Sequence, residues 1–449
     1  MERNNKELKT FYRDWTDLDT NIQKWWNKDL RKSQEDELLD SSINKIWYAD
    51  EEHQKKEEMA NEPPTLLYLP FPYISGGGSE SAFPEMYCWD IYFINLGLLA
   101  HQRYDIVRYH IINQLFMIER YGMVLNGNRT FYLGRSQLPL HATSVENYYR
   151  HTKERDMLFR AYPILKNEFI NYWKADHHHT PTGLATNRDL SDPELSSTDI
   201  PKSLLQQNQL RPELSAEAEV LDFTSIFDGD IRQCNPLMTN CALIRYAKTL
   251  KWMAGEIGLK EDSRFWDQEA RDRSARLNEL CWSEEKGFFF EYNYKRGKQL
   301  PYWSLAAYWT LWAGIADKNK ARRLAEHLFR FEHPYGLSQT DKMYPSPHPE
   351  FEYLQWDYPS GWAPMHMIVC DALSAYGYSQ QATRIAKKFL KLQIDLYKST
   401  NKLWEKYNCV NGSLELPRER YPVVPLHGWS SASVVYLGRK LFESSVGHV

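Results

Sequence analysis

Helical periodicity, running from about residue 83 to about 445 with little to interrupt it, is the feature that most limits how this chain can fold. Ala321, Leu324, Ala325 and Leu328 fall at i, i+3, i+4 and i+7, with Arg322, Arg323 and Glu326 on the opposite face. Segments 239–259, 264–281, 303–315, 362–377 and 379–398 read the same way. About 360 residues of this texture hold roughly twelve helices of ordinary length with their connections. Strand signals are few and short. Gly287-Phe-Phe-Phe-Glu-Tyr and Leu403-Trp-Glu-Lys-Tyr-Asn each follow a helix, and a third short segment lies near 331–340. The pattern predicts an all-α chain whose paired helices close into a ring, with short hairpins gathered at one end. A four-helix bundle would leave too much chain over, and a doubly wound sheet would alternate strand with helix. Neither GxGxxG after a strand nor GxxxxGK[ST] is present, so nucleotide-binding readings lose support.

The first 60 residues have a different character. Charged blocks such as Lys45 to Glu58 are interrupted by Trp15, Trp25, Trp26 and Trp47, which predicts a helical extension, residues 1–60, laid on a larger body, residues 61–449. From Pro63 the stretch PPTLLYLPFPYISGGGSES reads as loop. With 55 Lys+Arg against 59 Asp+Glu the formal net charge is −4, which disfavours a nucleic-acid partner. No run approaches the roughly 18 apolar residues of a membrane helix, and the N-terminal stretch has no apolar core of a secretory signal, so a soluble cytoplasmic chain is expected. Cys88, Cys234, Cys241, Cys281, Cys370 and Cys409 show no CxxC pair and no metal-ligand spacing, and read as buried reduced thiols. His177-His178-His179 precedes a Thr-Pro-Thr-Gly turn and reads as a solvated loop rather than a metal site. Neither a metal nor a cofactor is expected.

Aromatic residues are abundant: 16 Trp, 29 Tyr and 19 Phe, 14% of the chain. Such a content serves a large core, and it also serves a carbohydrate cleft, because aromatic faces pack on the C–H faces of sugar rings. Four loop-like segments tilt the choice towards sugar: Phe83-Pro-Glu-Met-Tyr-Cys-Trp-Asp-Ile-Tyr92, the 126–139 stretch opening Asn126-Gly-Asn-Arg, Gln355-Trp-Asp-Tyr-Pro-Ser-Gly-Trp-Ala-Pro364, and Leu403-Trp-Glu-Lys-Tyr407. Each joins a Trp or Tyr to an acid, amide or Arg, the mixture that grips hydroxyls while stacking on a ring.

The first and third of these segments resemble the two signatures of trehalases, glycoside hydrolase family 37. The third matches at every fixed position, and the first matches from Phe83 through Glu85, Tyr87, Trp89, Asp90 and Tyr92. Asn126-Gly-Asn-Arg with Arg135-Ser-Gln is similar to the family's sugar-binding loop. The resemblance implies an (α/α)6 barrel with its active site at one end, and inversion at the anomeric carbon. Inversion requires a carboxylic acid that protonates the leaving oxygen and a carboxylate that activates water from the opposite face of the ring, roughly 6.5–9.5 Å apart. By the same resemblance the acid is Asp222, within Glu219-Val-Leu-Asp-Phe-Thr-Ser-Ile-Phe227, and the base is Glu405, within Glu405-Lys406-Tyr407. Trp89 and Trp356 are expected as stacking faces, Phe83 as an apolar wall, and Asp90, Asn126, Arg135 and Gln355 as hydroxyl partners. Asp357 and Glu85 are equally suited to fixing neighbouring loops.

Three departures from the family pattern bear on substrate. The signature's Gly-Gly-Arg before Phe83 is replaced by Gly78-Ser-Glu-Ser-Ala82, so one sugar-binding Arg is gone. Leu221 and Ile226 stand where a Trp and an Arg flank the acid. An active-site Glu in a Glu-Tyr-Pro stretch maps onto Arg420, with Glu419 beside it. Either Glu419 takes over that role, or Arg420 receives an anionic aglycone through a charge-assisted contact. The expected activity is therefore hydrolysis of trehalose. The alternatives are hydrolysis of another small α-glycoside, of glucosylglycerate or mannosylglycerate type, or silent sugar binding. A small sugar is the expected partner, with neither nucleic acid nor membrane, for a monomer or small homo-oligomer.

Overall fold

A computed structural model describes residues 2–35, 43–48, 66–80, 82–195, 211–417 and 421–443. About half of these lie in thirteen α-helices, in chain order α1 (Glu2–Lys28), α2 (Asp90–Ala100), α3 (Tyr104–Tyr121), α4 (His141–Thr152), α5 (Arg155–Glu168), α6 (Pro212–Glu217), α7 (Leu237–Glu256), α8 (Lys260–Cys281), α9 (Trp309–Trp312), α10 (Lys318–His327), α11 (Ala363–Ala375), α12 (Ser379–Thr400) and α13 (Gly428–Phe442), and short 3-10 and π-helical turns add to the helical content. The chain is mostly helical, as the periodicity predicts.

Two kinds of helix are distinguishable by sequence and play different parts. In α2 every residue but Leu96 and Ala100 is buried, and in α11 the run Ala363–Cys370 is buried throughout. A helix apolar on all sides has to be surrounded by protein. By contrast α8 buries only Trp266, Ala270, Arg273, Leu277 and Cys281, a single stripe at helical spacing. The contacts follow this division. α2 touches α4, α4 touches α7, α7 touches α9, α9 touches α11, α11 touches α13, and α13 touches α2. The amphipathic α3 packs on α2 and α4, α5 on α4 and α7, α8 on α7, and α12 on α11 and α13. Ends are set locally: Gly122 (φ 80°) closes α3 with its N–H on the Ile118 carbonyl, and Asp317 caps α10 by accepting the Lys320 N–H at 2.8 Å.

Short strand pairs follow several helices. Trp282–Ser283 pairs with Phe288–Phe289, and Glu332–His333 with Gly336–Leu337, both local hairpins. The strand expected near 398–408 is present as Lys406–Asn408, but its partner is distant: Ser360–Trp362, with Trp362 opposite Lys406 and Gly361 opposite Tyr407. Only a glycine fits at 361, because a Cβ there would lie 1.9 Å from the Cys409 sulfur. This pairing joins the third and fourth sugar-like segments.

The N-terminal stretch is helix only to Lys28. Strands Leu30–Glu35 and Ile43–Tyr48 then join Leu66–Leu67 and Tyr73–Ile74 in a four-stranded sheet. Trp47 lies on the second strand, and the remainder of the charged block, 49–58, falls outside the described residues. Helix α1 packs on α12 and α13, burying Trp15, Leu18, Ile22 and Trp26. Gly438 of α13 makes room for it, since a Cβ at that position would meet the Trp15 indole. The His177–His179 run lies in a turn with His179 exposed, as read from the sequence, but its middle residue departs from the solvated reading. His178 is buried, stacked on Trp173 at 4.8 Å and hydrogen-bonded through Nδ1 to the Thr186 carbonyl, and burial holds it well below the usual histidine range. All six cysteines are free and buried. Among the described residues no helix is long and apolar enough to cross a membrane.

Candidate active site

Four indoles form the floor on which the expected site residues gather. Trp356 stacks on Trp362 at 3.9 Å, Trp89 lies 5.7 Å from Trp356, and Trp429 lies edge-on to both Trp89 and Trp362. Two of these rings hold the two acidic residues. The Trp356 Nε1–H donates to Asp222 Oδ1 at 3.0 Å, and the Trp429 Nε1–H donates to the Glu405 main-chain carbonyl at 3.1 Å. Positions 222 and 405, far apart in the chain, thus stand on one aromatic platform.

The loop carrying Asp222 is clamped by two buried carboxyls. Asp357 accepts from the Thr224 hydroxyl at 2.7 Å and from the Ser225 N–H, while Glu217 accepts the Thr224 N–H at 2.7 Å. Burial pushes Asp357 up to about 6 and Glu217 up to about 7. The short turn Ser225–Phe227 is capped by Thr224. That leaves the Asp222 carboxyl turned towards Trp356 instead of towards a helix end.

Glu405 is buried. Its N–H donates to the Val424 carbonyl at 3.0 Å, and the Tyr421 hydroxyl donates to Oε1 at 2.8 Å. The Lys406 ammonium lies 3.5 Å from Oε2. Gln355 crosses between the two acidic residues: its amide nitrogen donates to the Asp222 carbonyl, and its amide oxygen accepts from Lys406 Nζ at 2.9 Å. Asp90, first residue of α2, is buried in the same field. Its carboxyl is held well above the usual range, first by burial and then by the charges of Glu405 and Asp222.

The other expected contacts divide. Phe83 sits edge-on to Tyr421 at 5.9 Å with φ 55°, at the end of the turn that Gly77 ties to its carbonyl. Trp89 and Trp356 are buried, and one face of Trp356 is covered by Trp362, so that ring serves Asp222 through its N–H. Asn126 donates to the Ser136 and Ala218 carbonyls at 3.3 and 3.1 Å. Arg135 bonds the Ser215 hydroxyl, lies 3.6 Å from Asp189, and covers the Tyr132 ring. Both tie the 126–137 loop to the segment preceding Asp222. Glu85 is paired with Arg129 and accepts from the Tyr87 hydroxyl at 3.0 Å. Glu419 and Arg420 lie outside the described residues.

Lys406, Tyr421, Trp362 and Trp429 are the contacts that the sequence reading did not assign. The available signal was a lysine embedded in an aromatic run, Trp404-Glu-Lys-Tyr407.

A family model described as Trehalase matches residues 2–220 and 221–441. The chain belongs to the trehalase family. It is 29% identical over 395 residues to the cytosolic neutral trehalase of Kluyveromyces lactis, covering 77% of this chain and 52% of that protein. It is 28% identical over 392 residues to a probable trehalase of Saccharomyces cerevisiae, covering 76% and 50%. The chain spans about half the length of these relatives. Among solved structures, the neutral trehalase of Saccharomyces cerevisiae superposes with a TM-score of 0.69 at 26% identity, covering 86% of this chain and 76% of that one. A glycoside hydrolase family 63 mannosylglycerate hydrolase from Thermus thermophilus superposes with a TM-score of 0.56 at 18% identity, covering 82% and 95%, a likeness of fold.

Proposed function

We propose that this trehalase-family chain is an inverting glycoside hydrolase that cleaves α,α-trehalose into two glucose molecules, with Asp222 as general acid and Glu405 as general base. The observation that carries the reading is the shared platform: one indole cluster holds both acidic residues, and Gln355 spans from one to the other through Lys406. Inverting hydrolysis needs two carboxyl groups fixed on opposite sides of one sugar, with a water between the ring and the base. Groups anchored by stacked rings and buried hydrogen bonds meet that demand without reorganising during the reaction. Asp222 protonates the bridging oxygen as the glycosidic bond breaks. Glu405 takes a proton from the water that attacks the anomeric carbon.

Around this pair, Phe83, Trp89 and Asp90 line the sugar, and Asn126, Arg135, Gln355 and Trp356 hold the surrounding wall in place. A carboxyl kept protonated by burial, as at Asp90, is suited to donating to a sugar hydroxyl. Glu419 and Arg420 join this wall on sequence grounds. We read α2, α4, α7, α9, α11 and α13 as the inner ring of an (α/α)6 barrel spanning residues 61–449, with residues 1–60 laid on its outside. The naming of the Kluyveromyces relative supports a cytosolic setting.

Incubating the purified protein with trehalose, maltose, glucosylglycerate and mannosylglycerate tests the substrate. Glucose release from trehalose is expected to exceed release from every other sugar. Faster release from a glyceryl glycoside reassigns the substrate, and sugar binding without release from any of them contradicts the enzyme reading.

A further inference from the structure

Lys406 is a fully buried lysine within the site, and an ammonium removed from water has to be compensated by its surroundings. It lies over the ring faces of Tyr421, at 4.5 Å, and Trp362, at 5.1 Å, an arrangement that favours a cation. Two of its polar contacts point in different directions. One is Glu405 Oε2 at 3.5 Å, and the other is Gln355 Oε1 at 2.9 Å. Gln355 in turn donates to the main-chain carbonyl of Asp222. One positive charge is therefore connected to both halves of the acidic pair.

We propose that Lys406 is a positioning residue that keeps Glu405 ionised as the base and sets its place relative to Asp222 through Gln355. The proposal rests on the reading of Glu405 as base. Among the described residues, the charged and titratable groups around Glu405 include Lys406 and Tyr421 beside it, Asp90, whose carboxyl feels the Glu405 charge, and Asp222, whose charge reaches Tyr421 and Asp90 as that of Glu405 does. Burial favours a neutral Glu405. Lys406 supplies the opposing charge, and the poorly solvated surroundings strengthen its effect. Strand pairing accounts for its placement: Lys406 stands opposite Trp362 across the two-stranded pair.

The test is the pH profile of kcat/KM on trehalose, whose acid limb reports the base of the free enzyme. In Lys406→Met the limb is expected to move up by about 1–3 pH units, the range for losing an opposite charge at this distance. Lys406→Arg keeps the charge and is expected to hold the limb near its parental position. Gln355→Leu cuts the link to Asp222 but leaves the charge beside Glu405, so it lowers kcat at all pH values without moving the limb. A limb unmoved in Lys406→Met, or moved as far by Lys406→Arg or Gln355→Leu, overturns the proposal. If Lys406→Met is too unstable to assay, Lys406→Gln, which also removes the charge, is read by the same criterion. Glu405→Gln in the same series separates the two readings: full activity there removes Glu405 as base, whereas an unmoved limb with Glu405→Gln inactive removes only the role of Lys406.

Discussion

Replacing Asp222 with Asn, or Glu405 with Gln, is expected to lower kcat on trehalose by at least about 100-fold while the protein stays folded. General acid and base groups contribute about 10²–10⁴ in rate, and a sugar hydroxyl is a poor leaving group unless it is protonated. Both substitutions preserve shape. In Asp222→Asn the new amide oxygen would still accept the Trp356 indole N–H, and in Glu405→Gln it would still accept the Tyr421 hydroxyl. The main-chain contacts of both positions, to Gln355 and to Trp429, do not involve the altered atoms. The amide at 222 has no acidic proton to give, and the amide at 405 is too weak a base to activate water. Steady-state assays beside circular dichroism separate lost chemistry from lost fold. Either variant retaining activity within about threefold of the parent contradicts its assigned role.

Trp26→Ala is expected to destabilise the protein by about 3–5 kcal/mol, the usual cost of emptying a buried aromatic site. Trp26 is fully buried between α1 and the end of α2, where its indole N–H donates to His101 Nδ1 at 2.9 Å. His101 Nε2 faces Asp19 at 3.0 Å, back on α1. Truncation leaves a void and breaks a polar relay that joins the N-terminal helix to the residue closing α2. The same helix stacks Trp25 on His427, which directly precedes α13, and Asp29 beyond it accepts from His427 and from the Ser79 N–H. The urea midpoint of unfolding measures the effect. A midpoint shifted by the expected amount makes α1 part of the cooperative unit, and an unchanged midpoint contradicts its packing on the body.

These two expectations differ in how far they could be read from sequence. The helices were legible because burial imposes a 3.6-residue period: 264–281 and 379–398 lie within Lys260–Cys281 and Ser379–Thr400. Segment 303–315 instead gives a tight turn of helix, Leu305–Tyr308, and only four α-helical residues after it. The residues of the candidate site were legible as motifs, since Trp, acid and amide recur together in four segments. Their contacts were not. Nothing local to Lys406–Asn408 says that its partner is Ser360–Trp362, because strand pairing is a property of the folded chain. A lysine next to a glutamate reads as a solvated pair, and only the packing of Tyr421 and Trp362 over Lys406 makes it an interior charge. For the same reason Trp356, expected as a face for sugar, has Trp362 against it, and Asn126 and Arg135 are engaged with neighbouring protein groups.

The proposed roles of Asp222 and Glu405, acting from opposite faces of one sugar, have a stereochemical consequence that can be read from the products. Attack by water at one anomeric carbon of α,α-trehalose inverts that ring to β-glucose, while the other glucose departs with its α configuration intact. Proton NMR during the first minutes of hydrolysis, before mutarotation, is therefore expected to show β- and α-glucose formed in equal amounts. Formation of α-glucose alone would mean retention, and would contradict a base that activates water across the sugar from its acid.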